Sequence, residues 1–215
     1  MTIDYYYSSV SAPCRSVLLL SKSLNIDFNL KEMHKSAGDF TKPEFLKINY
    51  QHTVPTIVDD GFILWESRAI LAYLVEKYAK NDALYPKDPQ KRARVNQMLY
   101  FDMGTLHQRL SDYYYKPIMA KTPFDPAAFT KMEEAVAFLN TGLEGQKYTA
   151  GDTLTIADFA LVATVSNLDG FKYNLSKYPN VTQWYERCKK TMPGYEVNQK
   201  ALDELIKKIS PMLPK

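Results

Sequence analysis

Hydrophobic periodicity changes character near residue 80, and that change constrains the fold more than any other feature of the chain. Before it, short alternating runs interleave with helical spacing. Ile3, Tyr5 and Tyr7 alternate with Asp4 and Tyr6 as in a strand, and Val17, Leu18, Leu20, Ser21 and Leu24 then follow a helical step. Asp27 to Met33 reads as a second strand, and Pro43-Glu44-Phe45-Leu46 as a short helix with its proline in the first turn, where a missing N–H costs little. Thr56-Ile57-Val58 and Phe62-Ile63-Leu64-Trp65 flank Asp59-Asp60-Gly61, a hairpin signal in which Asp-Gly supplies the positive φ angles of a tight turn. Ser67 to Tyr78 closes the region as a helix with Ile70, Leu71, Leu74 and Tyr78 on one stripe. The order is βαβ, then α, then ββα.

Residues 79–90 carry Pro86, Pro89 and several polar side chains, as a linker does. Beyond it no strand pattern returns, and amphipathic stretches run roughly over 90–119, 126–142, 155–168, 180–190 and 199–209. The expected organisation is an α/β domain over 1–80, a linker over 81–89 and an all-α helical domain over 90–215. In the second part, Thr155-Ile156-Ala157-Asp158 has capping-box spacing, and Leu154 and Phe159 stand where a hydrophobic staple would; Asp158 therefore reads as structural.

Composition narrows the function classes. Lys and Arg number 27 against 24 Asp and Glu, a net charge of +3 spread without a basic block, which is too even for a nucleic-acid footprint. The longest apolar runs fall short of the ~20 residues that a membrane span needs. Two cysteines, Cys14 and Cys188, and an opening Met1-Thr2-Ile3-Asp4 without a cationic segment point to a reduced, cytoplasmic protein. Three histidines without paired ligand spacing predict no metal site. Aromatics are abundant (16 Tyr, 10 Phe and 2 Trp against 8 Gly), with runs at Tyr5–Tyr7 and Tyr113–Tyr115 that serve either core packing or an aromatic-lined cleft.

Three chain turns carry groups suited to a ligand. Ser11-Ala12-Pro13-Cys14-Arg15 spans a strand-to-helix junction, where unpaired N–H groups and the helix dipole favour an anion; a capping role is the commoner fate of such a serine. Gln51-His52-Thr53-Val54-Pro55-Thr56 precedes the hairpin, and a cis Pro55 would turn the Val54 N–H and C=O outward, where an extended peptide can pair with them. Glu66-Ser67-Arg68 marks the next strand-to-helix junction, with Ser67 placed as an N-cap or a carboxylate ligand. In the helical part, Asp102 lies on an apolar stripe with Val95, Leu99, Leu106 and Leu110. A carboxylate there serves a subunit interface, a ligand amine or an internal arginine.

Together these segments resemble the cytosolic glutathione transferases, most closely the insect delta class within the delta/epsilon group. The resemblance spans nearly the whole chain. It rests on Ser11-Ala12-Pro13-Cys14-Arg15-Ser16, Pro43-Glu44-Phe45-Leu46-Lys47-Ile48-Asn49, Gln51-His52-Thr53-Val54-Pro55-Thr56, Leu64-Trp65-Glu66-Ser67-Arg68-Ala69-Ile70, Tyr100-Phe101-Asp102-Met103-Gly104-Thr105-Leu106 and Leu154-Thr155-Ile156-Ala157-Asp158. It implies a thioredoxin-like first domain joined to a helical bundle, glutathione as co-substrate, no metal, and a homodimer acting in detoxification.

The same resemblance assigns roles. Ser11 would donate a hydrogen bond to the glutathione sulfur, with Ser9 as rival because Ser8-Ser9-Val10 replaces the family's usual Pro-Gly turn. Val54 before a cis Pro55 would pair with the cysteinyl unit, Glu66 and Ser67 would hold the γ-glutamyl end with Arg68 in support, and His52 would lie near the glycyl carboxylate. Asp102 would reach the γ-glutamyl amine from the neighbouring subunit. Phe40 stands where a polar glycyl-end ligand is usual and is left out of the site. Cys14 would be structural, since a redox C-x-x-C needs cysteine at position 11. The electrophile would meet Ala12, Pro13, His107, Leu110 and Tyr115, and further Ile118, Met119, Leu205 and Ile209.

A free thiol with pKa about 8.5 is only about 3% thiolate at pH 7, and lowering that pKa by about two units takes about 2.7 kcal/mol. A hydrogen bond to the anion, about 1.5–3 kcal/mol, together with a helix N-terminus, about 0.3–1 kcal/mol, is enough. An aliphatic hydroxyl has a pKa far too high to be the base, so Ser11 would act as donor while bound thiolate attacks an electrophilic carbon. The alternative is a noncatalytic carrier on the same fold, which Phe40 favours and the intact Ser11, Val54-Pro55 and Glu66-Ser67 oppose.

Overall fold

The computed structural model describes residues 2–213, so the outermost positions of the two expected domains, 1, 214 and 215, lie outside it. Strand β1 (Ile3–Tyr7) buries Ile3 and Tyr5 on one face, and the chain crosses through helix α1 (Ala12–Leu24) to the parallel strand β2 (Phe28–Glu32). Parallel pairing requires such a crossover, and Asn25, left-handed at φ 54°, ends α1 and starts the return. The short helix α2 (Pro43–Leu46) covers the other face, with Phe45 5.4 Å from the Tyr6 ring. Strands β3 (Thr56–Asp59) and β4 (Phe62–Trp65) follow, turning through Asp60 at φ 51° and Gly61 at φ 82°, the two positive angles anticipated from Asp-Gly. Helix α3 (Ser67–Tyr78) then packs beside α1. The sheet order is β2-β1-β3-β4, parallel only between β1 and β2.

From residue 89 onward the elements are helical. The stretch read as one helix over 90–119 is instead α4 (Pro89–Phe101), a π-helical turn at Asp102–Leu106, α5 (His107–Leu110), a second π turn at Ser111–Tyr115 and α6 (Lys116–Ala120). The amide of His107 donates to Asp102 O and that of Lys116 to Ser111 O, five residues back each time. A π turn inserts one residue without breaking the helix, so the apolar stripe through Val95, Leu99, Leu106 and Leu110 gives little sign of it. Helices α7 (Pro126–Gly142), α8 (Ile156–Gly170), α9 (Pro179–Thr191) and α10 (Tyr195–Ile209) complete the bundle. Helix α8 is buried along most of its length and packs on α1.

Asp158 proves to be a structural knot. Fully buried, it accepts from the Thr155 and Thr149 amides and from Trp184 Nε1, all at 2.9 Å. Tyr113 and Tyr114 belong to the core, against Phe124, Phe129 and Phe171. Among the described residues no helix is long and apolar enough to cross a membrane.

Helix α10 starts four residues earlier than the periodicity indicates, because Gly194 at φ 75° lets the chain turn hard against α1. A Cβ on Gly194 would stand 2.6 Å from Lys22 Cβ. Gly194→Ala is therefore expected to cost about 1–2 kcal/mol, from the positive φ and the displaced Lys22 stem, read as a lower urea midpoint at unchanged slope.

Candidate active site

Strand register gathers the three turns. Tyr6 pairs with Thr56 and Thr56 with Trp65, so the end of β1, the start of β3 and the end of β4 lie side by side at one end of the sheet. Ser11, Pro55 and Glu66 lie close to those ends in the chain.

Ser11 occupies the N-cap position of α1 at φ −78°, ψ 121°, yet its side chain makes no capping hydrogen bond. The first turn is held by backbone and packing instead: the Arg15 amide donates to Ser11 O at 2.9 Å, and the Ser11 amide donates to Ser8 O at 3.1 Å. The half-buried Ser11 hydroxyl thus stays at the helix N-terminus, where the dipole favours an anion. Ser9 is engaged elsewhere, donating to Glu32 Oε1 at 2.7 Å. Cys14 is fully buried and burial pushes its thiol up to about 11, against the Ser11 hydroxyl and Ser8 amide; that leaves it protonated and inert at neutral pH.

One residue had no role assigned from sequence and fixes the helix that carries Ser11. Arg15 is fully buried on α1, and its Nη2 donates to Ala163 O at 3.0 Å, Ser166 Oγ at 3.3 Å and Asn167 Oδ1 at 2.5 Å on α8. The Cys14-Arg15 pair in the sequence offered no sign of a partner some 150 positions away.

The peptide between Val54 and Pro55 is cis. Asn49, also without an assigned role, organises this loop from a fully buried position. Its Nδ2 donates to Thr53 O at 3.1 Å and Thr56 Oγ1 at 3.0 Å, and its Oδ1 accepts from the Gln51 amide at 2.9 Å. An asparagine whose side chain can bond the backbone two residues on is the signal that marks such an organiser. Among the described residues no backbone hydrogen bond engages the N–H or C=O of Val54. His52, at φ 45°, is exposed beside it. Phe40 packs edge-on against Phe45 at 6.4 Å, which accounts for an apolar side chain there.

At the third turn the N-cap is Glu66, not Ser67. Glu66 is held at φ 70°, ψ 104°, an unusual backbone for a non-glycine residue, and stays exposed. Ser67 begins α3, buried, with its hydroxyl accepting from Arg68 Nη1 at 2.9 Å. Arg68 Nη2 in turn pairs with Asp102 Oδ2. Asp102 is fully buried within its own chain, where Oδ2 faces Arg68 and Oδ1 has no hydrogen-bond partner among the described residues. The internal arginine among the roles open to a carboxylate on that stripe is the one seen within this chain, and Asp102 opens the π turn at 102–106.

The residues expected to contact an electrophile divide. Tyr115 is half-buried with its ring 5.7 Å from Phe171, Ile118 and Pro13 are half-buried, and Met119 is 67% exposed. Leu110 is fully buried and belongs to the core, and Ala12, Leu205 and Ile209 also lie within it or at its margin. Helical spacing alone does not distinguish a core stripe from a cleft wall. His107 is half-buried with Nδ1 unpartnered; burial lowers its pKa, with Asp102 opposing and Arg68 and Arg15 adding to the effect, so the ring is neutral at pH 7. Among the described residues no group of three or more His, Cys, Asp or Glu is placed to hold a metal.

Comparison with known proteins gives the family and the fold. Residues 4–76 match the family model for the glutathione S-transferase N-terminal domain and residues 104–190 that for the C-terminal domain. Among solved structures, the chain is similar to a delta-class glutathione transferase of Nilaparvata lugens at 46% identity and TM-score 0.95, over 98% of this chain and 99% of that one. A glutathione transferase of Bombyx mori matches at 41% identity and TM-score 0.94, over 96% and 97%. An epsilon-class glutathione S-transferase from the housefly, Musca domestica, matches at 38% and 0.92, over 98% of each chain.

Proposed function

The chain belongs to the glutathione S-transferase family and has its transferase activity, and from that premise we propose that Ser11 stabilises the thiolate of bound glutathione for attack on hydrophobic electrophiles. The observation that carries this reading is the Ser11 hydroxyl at the start of α1, free of the capping bond that would otherwise occupy it. It acts as a hydrogen-bond donor to sulfur, with the α1 dipole adding to the effect. Val54, ahead of Pro55, offers its free N–H and C=O to the cysteinyl unit as an added strand would receive them. Exposed Glu66 accepts from the γ-glutamyl ammonium, and the N-terminal amides of α3 and the Ser67 hydroxyl receive its carboxylate. Arg68 and Asp102 hold Ser67 from behind, and His52 flanks the glycyl carboxylate.

The electrophile is a hydrophobic molecule that enters beside Ala12 and Pro13, against Tyr115, Ile118, Met119 and His107. Met119 adapts readily to varied shapes. We also propose division into domains at 1–80 and 90–215, a cytoplasmic location, and a homodimer covering side chains such as Tyr50 and Tyr100, which are 74% and 66% exposed.

The test is conjugation of glutathione to 1-chloro-2,4-dinitrobenzene. Saturable turnover in both substrates is the expected result. Retention on immobilised glutathione without turnover of any activated aryl halide would instead identify a carrier.

A further inference from the structure

Helix α10 does not seal against the edge of the sheet. Strand β2 pairs only with β1, and α10 runs along α1 on the same side, its start held where Gly194 meets Lys22. Between β2 and α10 lies an open groove of about 470 Å3, a size typical of small-molecule sites. Its middle is apolar, formed by Leu18, Ile26, Phe28, Leu30, Val197 and Ala201, with Leu30 52% exposed. None of these residues has a part in the glutathione or electrophile site. The groove follows the five residues of β2, a length of about 17 Å.

Its two ends differ. Where β1 and β2 finish, Glu32 and Glu204 flank Tyr7; burial and then these carboxylates raise the Tyr7 phenol above its ordinary value. Glu32 accepts only the Ser9 hydroxyl, and among the described residues neither carboxylate is in an ion pair. Lys200, one helical turn before Glu204, lines the groove without pairing to it, and Lys22 and Asp27 occupy the opposite end. Tyr7 and Phe28 line the groove, and both rings stack on the fully buried Tyr5 behind them, at 5.4 Å and 4.7 Å.

We propose that this groove is a second ligand site, separate from the catalytic cleft, for an elongated hydrophobic amine. The apolar body lies on Phe28, Leu30, Leu18 and Ala201, and the ammonium sits between Glu32 and Glu204 beside the Tyr7 ring. A cation there gains two charge-assisted contacts and the face of an aromatic ring, whereas an anion meets two carboxylates.

Dansylcadaverine, an aromatic fluorophore on an alkyl ammonium, is the probe, titrated into the full chain with S-hexylglutathione at a concentration that abolishes conjugation. Saturable binding that survives S-hexylglutathione is expected. The double variant Glu32→Gln/Glu204→Gln should weaken it about tenfold or more, as loss of charge-assisted hydrogen bonds does. Ala201→Trp, which fills the groove, should abolish it, and conjugation should persist in both variants as proof of fold. Neutral dansylamide should bind more weakly and be indifferent to the double variant. Displacement of the probe by S-hexylglutathione would overturn the proposal, as would equal affinity in wild type and both variants, or no binding to the wild type.

Discussion

Ser11→Ala is expected to raise the pKa of the bound glutathione thiol by about one to two units and to cut kcat/KM for conjugation at pH 7 by about 3- to 25-fold, as the thiolate fraction falls. A hydrogen bond to an anion contributes about 1.5–3 kcal/mol, and each pKa unit corresponds to about 1.4 kcal/mol. The helix N-terminus remains in the variant, so part of the stabilisation stays, about 0.3–1 kcal/mol. Ser11 favours the deprotonated form, so its loss matters most below the free-thiol pKa, and the two enzymes should converge as the pH rises through it. Ultraviolet titration of the thiolate in the binary complex reads the pKa apart from turnover, and the pH profile of kcat/KM should move with it. Ser9→Ala is the control: its hydroxyl is committed to Glu32, so the thiol pKa should stay at the wild-type value. An unchanged titration in Ser11→Ala would remove this hydroxyl from the mechanism.

Much of this arrangement was legible because it rests on local chemistry. Asp60-Gly61 supplies the two positive φ angles that join β3 to β4, and the change in period near residue 80 separates strand-bearing from helical chain. Once that hairpin and the β1–β3 pairing are set, the ends bearing Ser11, Pro55 and Glu66 must meet, because antiparallel register puts Tyr6, Thr56 and Trp65 in one row. What was not legible depends on partners remote in sequence. Arg15 bonds to α8, and the pairing of Asp102 with Arg68 crosses 34 positions. The π turns escaped because they shift a helix by one residue, which an apolar stripe absorbs. Leu110 is a related case: a helix facing both core and cleft buries adjoining stripes, and burial of Leu110 shows only in the packed structure.

Asp102→Ala should destabilise the protein well beyond the effect of Gly194→Ala. The Arg68 side chain is 13% exposed and Asp102 not at all, so removing the carboxylate strands a guanidinium in the interior. Breaking one side of a buried pair costs about 3–5 kcal/mol, chiefly through the uncompensated charge. For a chain of this size that is a fall in Tm of about 6–20 °C, measured by calorimetry. Removing both charges, as in Arg68→Met/Asp102→Leu, should restore most of that stability, because packed apolar groups replace a buried pair at little net loss. The two variants should nevertheless share a functional defect. Arg68 Nη1 fixes the Ser67 hydroxyl at 2.9 Å, and with the guanidinium displaced or absent the hydroxyl loses its orientation toward the γ-glutamyl end. The KM for glutathione should therefore rise in both while kcat changes little, a split that lowered stability alone does not produce. Recovery of Tm with no recovery of KM in the double variant is the expected pattern. Recovery of both would reduce the Arg68–Asp102 pair to a structural strut, and Ser67 would then be held by the start of α3 alone.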